Sequence, residues 1–153
     1  MAMERRPIGR TGMTTGVVGL GTMTWGRRNS EAEAHAQMDQ ALDAGIDFLD
    51  AAEMYPFPAD EAHWGRTEEI VGSWLGKDKS RREKVVVATK IVGRSERFSF
   101  LRGGENRLNR KNIEAAIDGS LKRLGVEAID LYQLHWPDRA TNFFGALGYV
   151  HTP

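Results

Sequence analysis

Val85-Val-Val-Ala-Thr-Lys90 is apolar and largely β-branched until its last two residues, and it ends on a lysine. Such a run reads as a strand of a parallel sheet, covered on both faces and reaching solvent at its C-terminal end. Three further runs share this character: Val17-Val-Gly-Leu-Gly21, Ile46-Asp-Phe-Leu-Asp50 and Ile129-Asp-Leu-Tyr-Gln-Leu-His135. Helical patterns separate them. Ser30-Glu-Ala-Glu33 has the spacing of a capping box, and the helix it opens places Ala34, Met38, Ala41 and Leu42 on one face before stopping at Gly45. A second helix runs from about Thr67 through Ile70, Val71, Trp74 and Leu75. A third starts near Asn109, carries Ile113, Ala116, Ile117, Ser120, Leu121 and Leu124, and ends at Gly125. Strands alternating with helices predict βαβ units and a parallel sheet. Ahead of them, residues 3–16 hold Gly9, Gly12 and Gly16 among short extended pieces and suggest a small β-hairpin.

The chain has 153 residues, enough for one domain, with 41% apolar and 27% charged residues. This composition is that of an ordinary globular protein and excludes a disordered tail, a collagen and a coiled coil. Lys+Arg and Asp+Glu are both 21, so no global positive field exists to hold nucleic acid or an anionic membrane. The absence of cysteine excludes a disulfide scaffold, a thiolate metal site and a cysteine nucleophile. His35, His63 and His151 lack metal-ligand spacing, so no metal is expected. Met1 to Pro7 leads into no apolar stretch, and nothing approaches the roughly 18 apolar residues of a membrane span. A cytoplasmic protein with no nucleic-acid or membrane partner is the expectation.

Gly19-Leu-Gly21-Thr-Met-Thr-Trp-Gly26 resembles a dinucleotide fingerprint, but its third glycine is displaced and the next helix starts only near residue 31. A Rossmann turn needs that helix N-terminus directly against the pyrophosphate. The stretch therefore reads as a tight glycine turn leaving a strand. Asp50, Lys90 and His135 stand at or near the C-terminal ends of consecutive strands, with Tyr55 close behind Asp50. In a parallel α/β barrel that end of the strands builds the active site. Any one of these ions alone also reads as a strand's exit into solvent; three in register with a phenol make a proton-donor system. An ammonium near the phenol is expected to lower its pKa from about 10, and a nearby carboxylate to keep the ammonium charged. Arg94, Arg97, Arg102, Arg107 and Arg110, with Lys111 directly after them, fall in or beside a polar stretch, residues 91–110, which reads as a long solvated loop in preference to a phosphate site. Gly-x-Ser-x-Gly and Walker motifs are absent from the sequence, and Tyr55 is not followed four residues later by a lysine, unlike a short-chain dehydrogenase.

Gly19 to Gly26, Gly45-Ile-Asp-Phe-Leu-Asp-Ala-Ala-Glu-Met-Tyr55, the strand ending Ala88-Thr-Lys90, Lys111-Asn-Ile with Ser120-Leu-Lys-Arg-Leu124, and Asp130-Leu-Tyr-Gln-Leu-His-Trp-Pro137 together closely resemble the aldo-keto reductases, most of all their bacterial Tas-like branch. The resemblance covers essentially the whole chain. It implies a (β/α)8 TIM-barrel fold with an N-terminal β-hairpin, and reversible NADP(H)-dependent reduction of aldehydes and ketones without metal or flavin. Carried over by position, it makes Tyr55 the general acid, Lys90 the group lowering its pKa, Asp50 the partner of Lys90, and His135 the residue orienting the carbonyl. Gly21, Thr22, Met23 and Asp50 are then expected to hold the nicotinamide end of the cofactor. Trp25 and Trp136 are expected to line the substrate cavity beside Tyr55 and His135, core packing being the alternative for both tryptophans.

A complete barrel takes roughly 250 residues, so residues 1–153 are expected to form the N-terminal half of a single barrel domain, with only the first four βα-type units present. By the same resemblance, the contacts to the nicotinamide carboxamide and the clamp on the 2′-phosphate belong to the other half. The chain alone is expected to be catalytically silent and to self-associate through open sheet edges. The alternatives are a non-catalytic nucleotide-binding regulator on the same fold, and an inert fragment.

Overall fold

The structure, a computed structural model, describes residues 3–139, 141, 142 and 148. His151 lies outside the described residues. Arg5–Pro7 (β1) and Thr14–Gly16 (β2) pair antiparallel as the expected hairpin. Buried Asp47 stitches it to the rest of the molecule: its carboxylate accepts from the Thr15 hydroxyl at 2.6 Å and the Gly16 amide at 2.9 Å, and pairs with Arg5 at 2.6 Å. Burial works against ionisation of Asp47, but these hydrogen bonds and the Arg5 charge outweigh it and hold the carboxyl below its ordinary range.

Gly19–Gly21 (β3), Phe48–Asp50 (β4), Val86–Ile91 (β5) and Leu131–Leu134 (β6) form one parallel sheet in the spatial order β3-β4-β5-β6. Glu31–Asp43 (α1), Arg66–Lys77 (α2) and Arg110–Leu124 (α3) make the crossovers. Strands that neighbour one another in chain order, without reversal, are wound as in a barrel; a doubly wound sheet reverses at a switch point. The Ser30–Glu33 capping box forms, Asn109 caps α3, and Gly125 ends α3 at φ 63°. The strands β3 and β4 are shorter than expected. Val17 donates its amide to Glu4 in the hairpin, leaving Val17 and Val18 half exposed, and Asp47 is committed to the hairpin.

Side-chain alternation assigns the two faces of the sheet. Leu49 and Val87, partners in register, point outward and join Trp25, Met38, Ile70, Val71, Trp74 and Leu124 in a core under the helices. On that face fully buried Glu68 of α2 accepts from the Thr89 hydroxyl at 2.6 Å and pairs with Arg123 of α3 at 2.7 Å, joining both helices to β5. A Cβ on Gly72 would lie 2.5 Å from the Arg123 carbonyl oxygen, so glycine is what lets α2 and α3 approach this closely. The opposite face carries Asp50, Ala88, Lys90 and Gln133. Among the described residues no helix is long and apolar enough to cross a membrane.

Candidate active site

The register of the sheet brings the four ionisable candidates together. Asp50 is the last residue of β4, Lys90 is the fifth of β5, and His135 follows β6 directly, its amide bonded to the Ile91 carbonyl at 2.9 Å. Lys90 Nζ donates to Asp50 Oδ2 at 2.8 Å and to the Ala51 carbonyl at 2.7 Å. The same ammonium lies 5.1 Å from the centroid of the Tyr55 ring. Tyr55 meets His135 edge to face at 5.6 Å, and His135 packs on Trp136 at 4.9 Å.

The expected effect of Lys90 on the phenol is not what the structure shows. Burial, and secondarily the charge of Asp50, raise the Tyr55 pKa above 10.0. The ammonium is spent on Asp50 and Ala51 and faces the ring, so it does not offset the loss of hydration. Tyr55 is therefore a protonated donor at neutral pH. Burial, and then repulsion by Lys90, push His135 down to about 4 against the opposing pull of Asp50, so this imidazole is neutral at pH 7.

Gly21 sits opposite Asp50 in register, and a Cβ added there would meet nothing within 4 Å. Thr22 is buried and uses its hydroxyl on the Asp50 carbonyl at 2.9 Å, which ties the β3–α1 turn to the site. Met23 is exposed, and its carbonyl accepts from the Phe57 amide at 2.8 Å. Trp136 packs with Phe98, Leu101 and Tyr55 in a second apolar cluster at this end of the strands. A Cβ on Gly93 would collide with the Trp136 carbonyl and indole, so glycine is required there for the indole to lie against the strand end.

Trp25 is a correction. It is 1% exposed within the core under α1 and α2, its indole N–H donates to Gln37 at 2.8 Å, and its carbonyl accepts from Thr67. The turn after β3 carries it outward, away from the face that bears Asp50. Arg102 is a second correction to the solvated-loop reading. It pairs with Glu53, which is 1% exposed, at 2.5 Å, and also contacts Asn106. Glu53 in turn accepts from the Val92 amide at 2.7 Å, and Asn106 donates to the Ser95 and Phe98 carbonyls at 3.1 and 2.8 Å. This polar chain fastens the loop after β5, with its short helical turn at Arg102–Gly104, to the segment carrying Tyr55. Gln133, which sequence reasoning passed over, donates to Asp50 Oδ1 at 3.1 Å. An amide in the otherwise apolar run Leu131-Tyr-Gln-Leu134 was the available signal.

Comparison with known proteins agrees with this geometry. The model of the Aldo/keto reductase family matches residues 17–151. Protein Tas of Escherichia coli is 47% identical over 150 residues, which are 98% of this chain and 43% of Tas. Aldo-keto reductase YhdN of Bacillus subtilis is 36% identical, over 89% of this chain and 39% of its own length. The solved structure of aldo-keto reductase AKR11C1 from Bacillus halodurans, in a holo form, superposes with a TM-score of 0.68 at 33% identity, covering 86% of this chain and 40% of that one. The chain thus spans less than half the length of these relatives, and its four parallel strands belong to a TIM-barrel fold. On the family match, the strand order and the structural likeness together, this chain belongs to the aldo/keto reductase family.

Proposed function

We propose that the chain carries the acid–base face of an NADP(H)-dependent oxidoreductase that reduces aldehydes or ketones to alcohols. The convergence of Tyr55, Lys90, Asp50 and His135 at one end of the parallel strands supports this most strongly. Tyr55 is the general acid: its burial keeps the proton on the phenol until a carbonyl oxygen accepts it. His135, neutral at pH 7, orients that oxygen by hydrogen bonding without competing for the proton. Trp136 walls the site against water.

A Cβ on Gly21, opposite Asp50, would meet nothing within 4 Å, which leaves room for a flat ring against the end of β3, with exposed Met23 beside it and buried Thr22 holding the turn to Asp50. When bound there, a nicotinamide supplies the hydride. Gly21, Thr22, Met23 and Asp50 form this chain's part of that site. The preference for NADP(H) over NAD(H) rests on family likeness. The matched relatives are more than twice as long, which favours a 153-residue chain that is inactive alone.

The test joins the chain to the remaining C-terminal part of E. coli Tas and follows NADPH absorbance with 4-nitrobenzaldehyde. Aldehyde-dependent oxidation, faster with NADPH than with NADH, is expected of the joined protein, and none of the 153-residue chain. A folded joined protein that binds NADPH but oxidises none would overturn the reading in favour of a nucleotide-binding regulator.

A further inference from the structure

We propose that Gln133 is a positioning residue for the catalytic carboxylate: its side-chain amide fixes Asp50 in the orientation that holds Lys90 against Tyr55. The inference rests on the reading under Proposed function and extends it to a residue two strands away from Asp50.

Gln133 and Lys90 are partners in register on β6 and β5, and Asp50 lies on β4 opposite Ala88. To reach Asp50, both long side chains extend along the inward face toward the level of Ala88. Ala88 is fully buried and ends at Cβ, so it leaves them the room. Lys90 takes Oδ2 at 2.8 Å and Gln133 takes Oδ1 at 3.1 Å. With one donor on each oxygen, rotation of the carboxylate about its Cβ–Cγ bond breaks both bonds. The ammonium is likewise fixed, between Asp50 and the Ala51 carbonyl, at 5.1 Å from the Tyr55 ring centroid.

Packing alone does not call for glutamine here. The rest of the strand is Leu131, Tyr132 and Leu134, and a leucine fills the same volume without an amide to satisfy. Without the amide, Asp50, whose side chain is 35% exposed, turns Oδ1 to water and Lys90 keeps a loosened partner. The ammonium then no longer braces the face of the Tyr55 ring, so the loss falls on the position of the phenol, hence on kcat and not on KM.

The experiment uses the chain joined to the C-terminal part of Tas, as parent, Gln133→Leu and Gln133→Glu, with NADPH and 4-nitrobenzaldehyde across pH. Gln133→Leu is expected to lower kcat roughly 10-fold, a part of the roughly 10²–10⁴-fold that a positioned acid contributes, with KM little changed. Gln133→Glu sets a second carboxylate against Asp50; the two share a proton as pH falls, and the protonated form donates to Oδ1. Its activity is therefore expected to recover toward the parent's on acidification, whereas Gln133→Leu does not recover. Parent-like kcat in Gln133→Leu together with a parent-like pH profile in Gln133→Glu overturns the proposal and leaves the functional reading intact. If the parent itself turns over nothing, the functional reading fails, and NMR of the same protein decides the contact. The Gln133 side-chain NH2 signals are expected to be protected from exchange and to move in Asp50→Asn; signals that exchange freely and do not move overturn it.

Discussion

Lys90 faces the Tyr55 ring at 5.1 Å while its hydrogen bonds go to Asp50 and Ala51, so the carboxylate and not the ammonium dominates the field at the phenol. Asp50 raises the phenol's pKa in addition to burial. Asp50→Asn removes that charge and frees the ammonium, so Tyr55 is expected to ionise at lower pH. Absorbance titration of the phenol, with Tyr55→Phe as the blank, checks the direction; an unchanged or higher midpoint contradicts it.

His135 makes stability pH-dependent. Its pKa of about 4 in the folded chain lies below its ordinary 6.5, so folding favours the neutral ring. That contribution is complete above pH 6.5 and is lost as pH falls toward 4, reaching roughly 3 kcal/mol when the shift is converted at about 1.4 kcal/mol per unit. Urea midpoints at neutral pH and near pH 4 are expected to differ less in His135→Gln than in the parent. An equal difference in the two proteins contradicts the burial of this ring.

Trp25→Phe tests the core assignment. Losing the indole leaves a void in the core and removes the hydrogen bond to Gln37, together on the order of 1–3 kcal/mol. Tm is expected to fall while the aldehyde KM of the joined protein is unchanged. A raised KM at constant Tm would return Trp25 to the substrate cavity.

The 153-residue chain is expected to self-associate. Among the described residues the outer edges of β3 and β6 pair with no strand, and Leu134 is 59% exposed beside the β6 edge. Unpaired edges beside apolar surface favour intermolecular pairing. Sedimentation velocity is expected to show concentration-dependent larger species; a monodisperse monomer contradicts this.

What the sequence made legible was what acts locally. The Ser30–Glu33 box, the Gly125 helix end and the strand-terminal Asp50, Lys90 and His135 are each read from a few neighbouring residues, and the structure has them where they were expected. Glu53 with Arg102, and Glu68 with Arg123, could not be read this way. Their partners lie 49 and 55 residues away, and a charged residue in a loop or helix looks solvated until the fold closes over it. Trp25 failed for a related reason: a glycine-rich turn does not say which face of the sheet its aromatic residue will join. The raised pKa of Tyr55 was not legible either, because proximity of a lysine says nothing about where that lysine spends its hydrogen bonds.

The most direct test of the central claim is Tyr55→Phe in the chain joined to the C-terminal part of Tas. The substitution removes one hydroxyl from the proposed proton donor and leaves the Gly21–Met23 edge and Asp50 in place. Aldehyde-dependent NADPH oxidation is expected to fall roughly 10²–10⁴-fold, the range for loss of a positioned acid, while quenching of tryptophan fluorescence by NADPH is unchanged. Turnover equal to the parent's would show that Tyr55 is not the acid and would contradict the account.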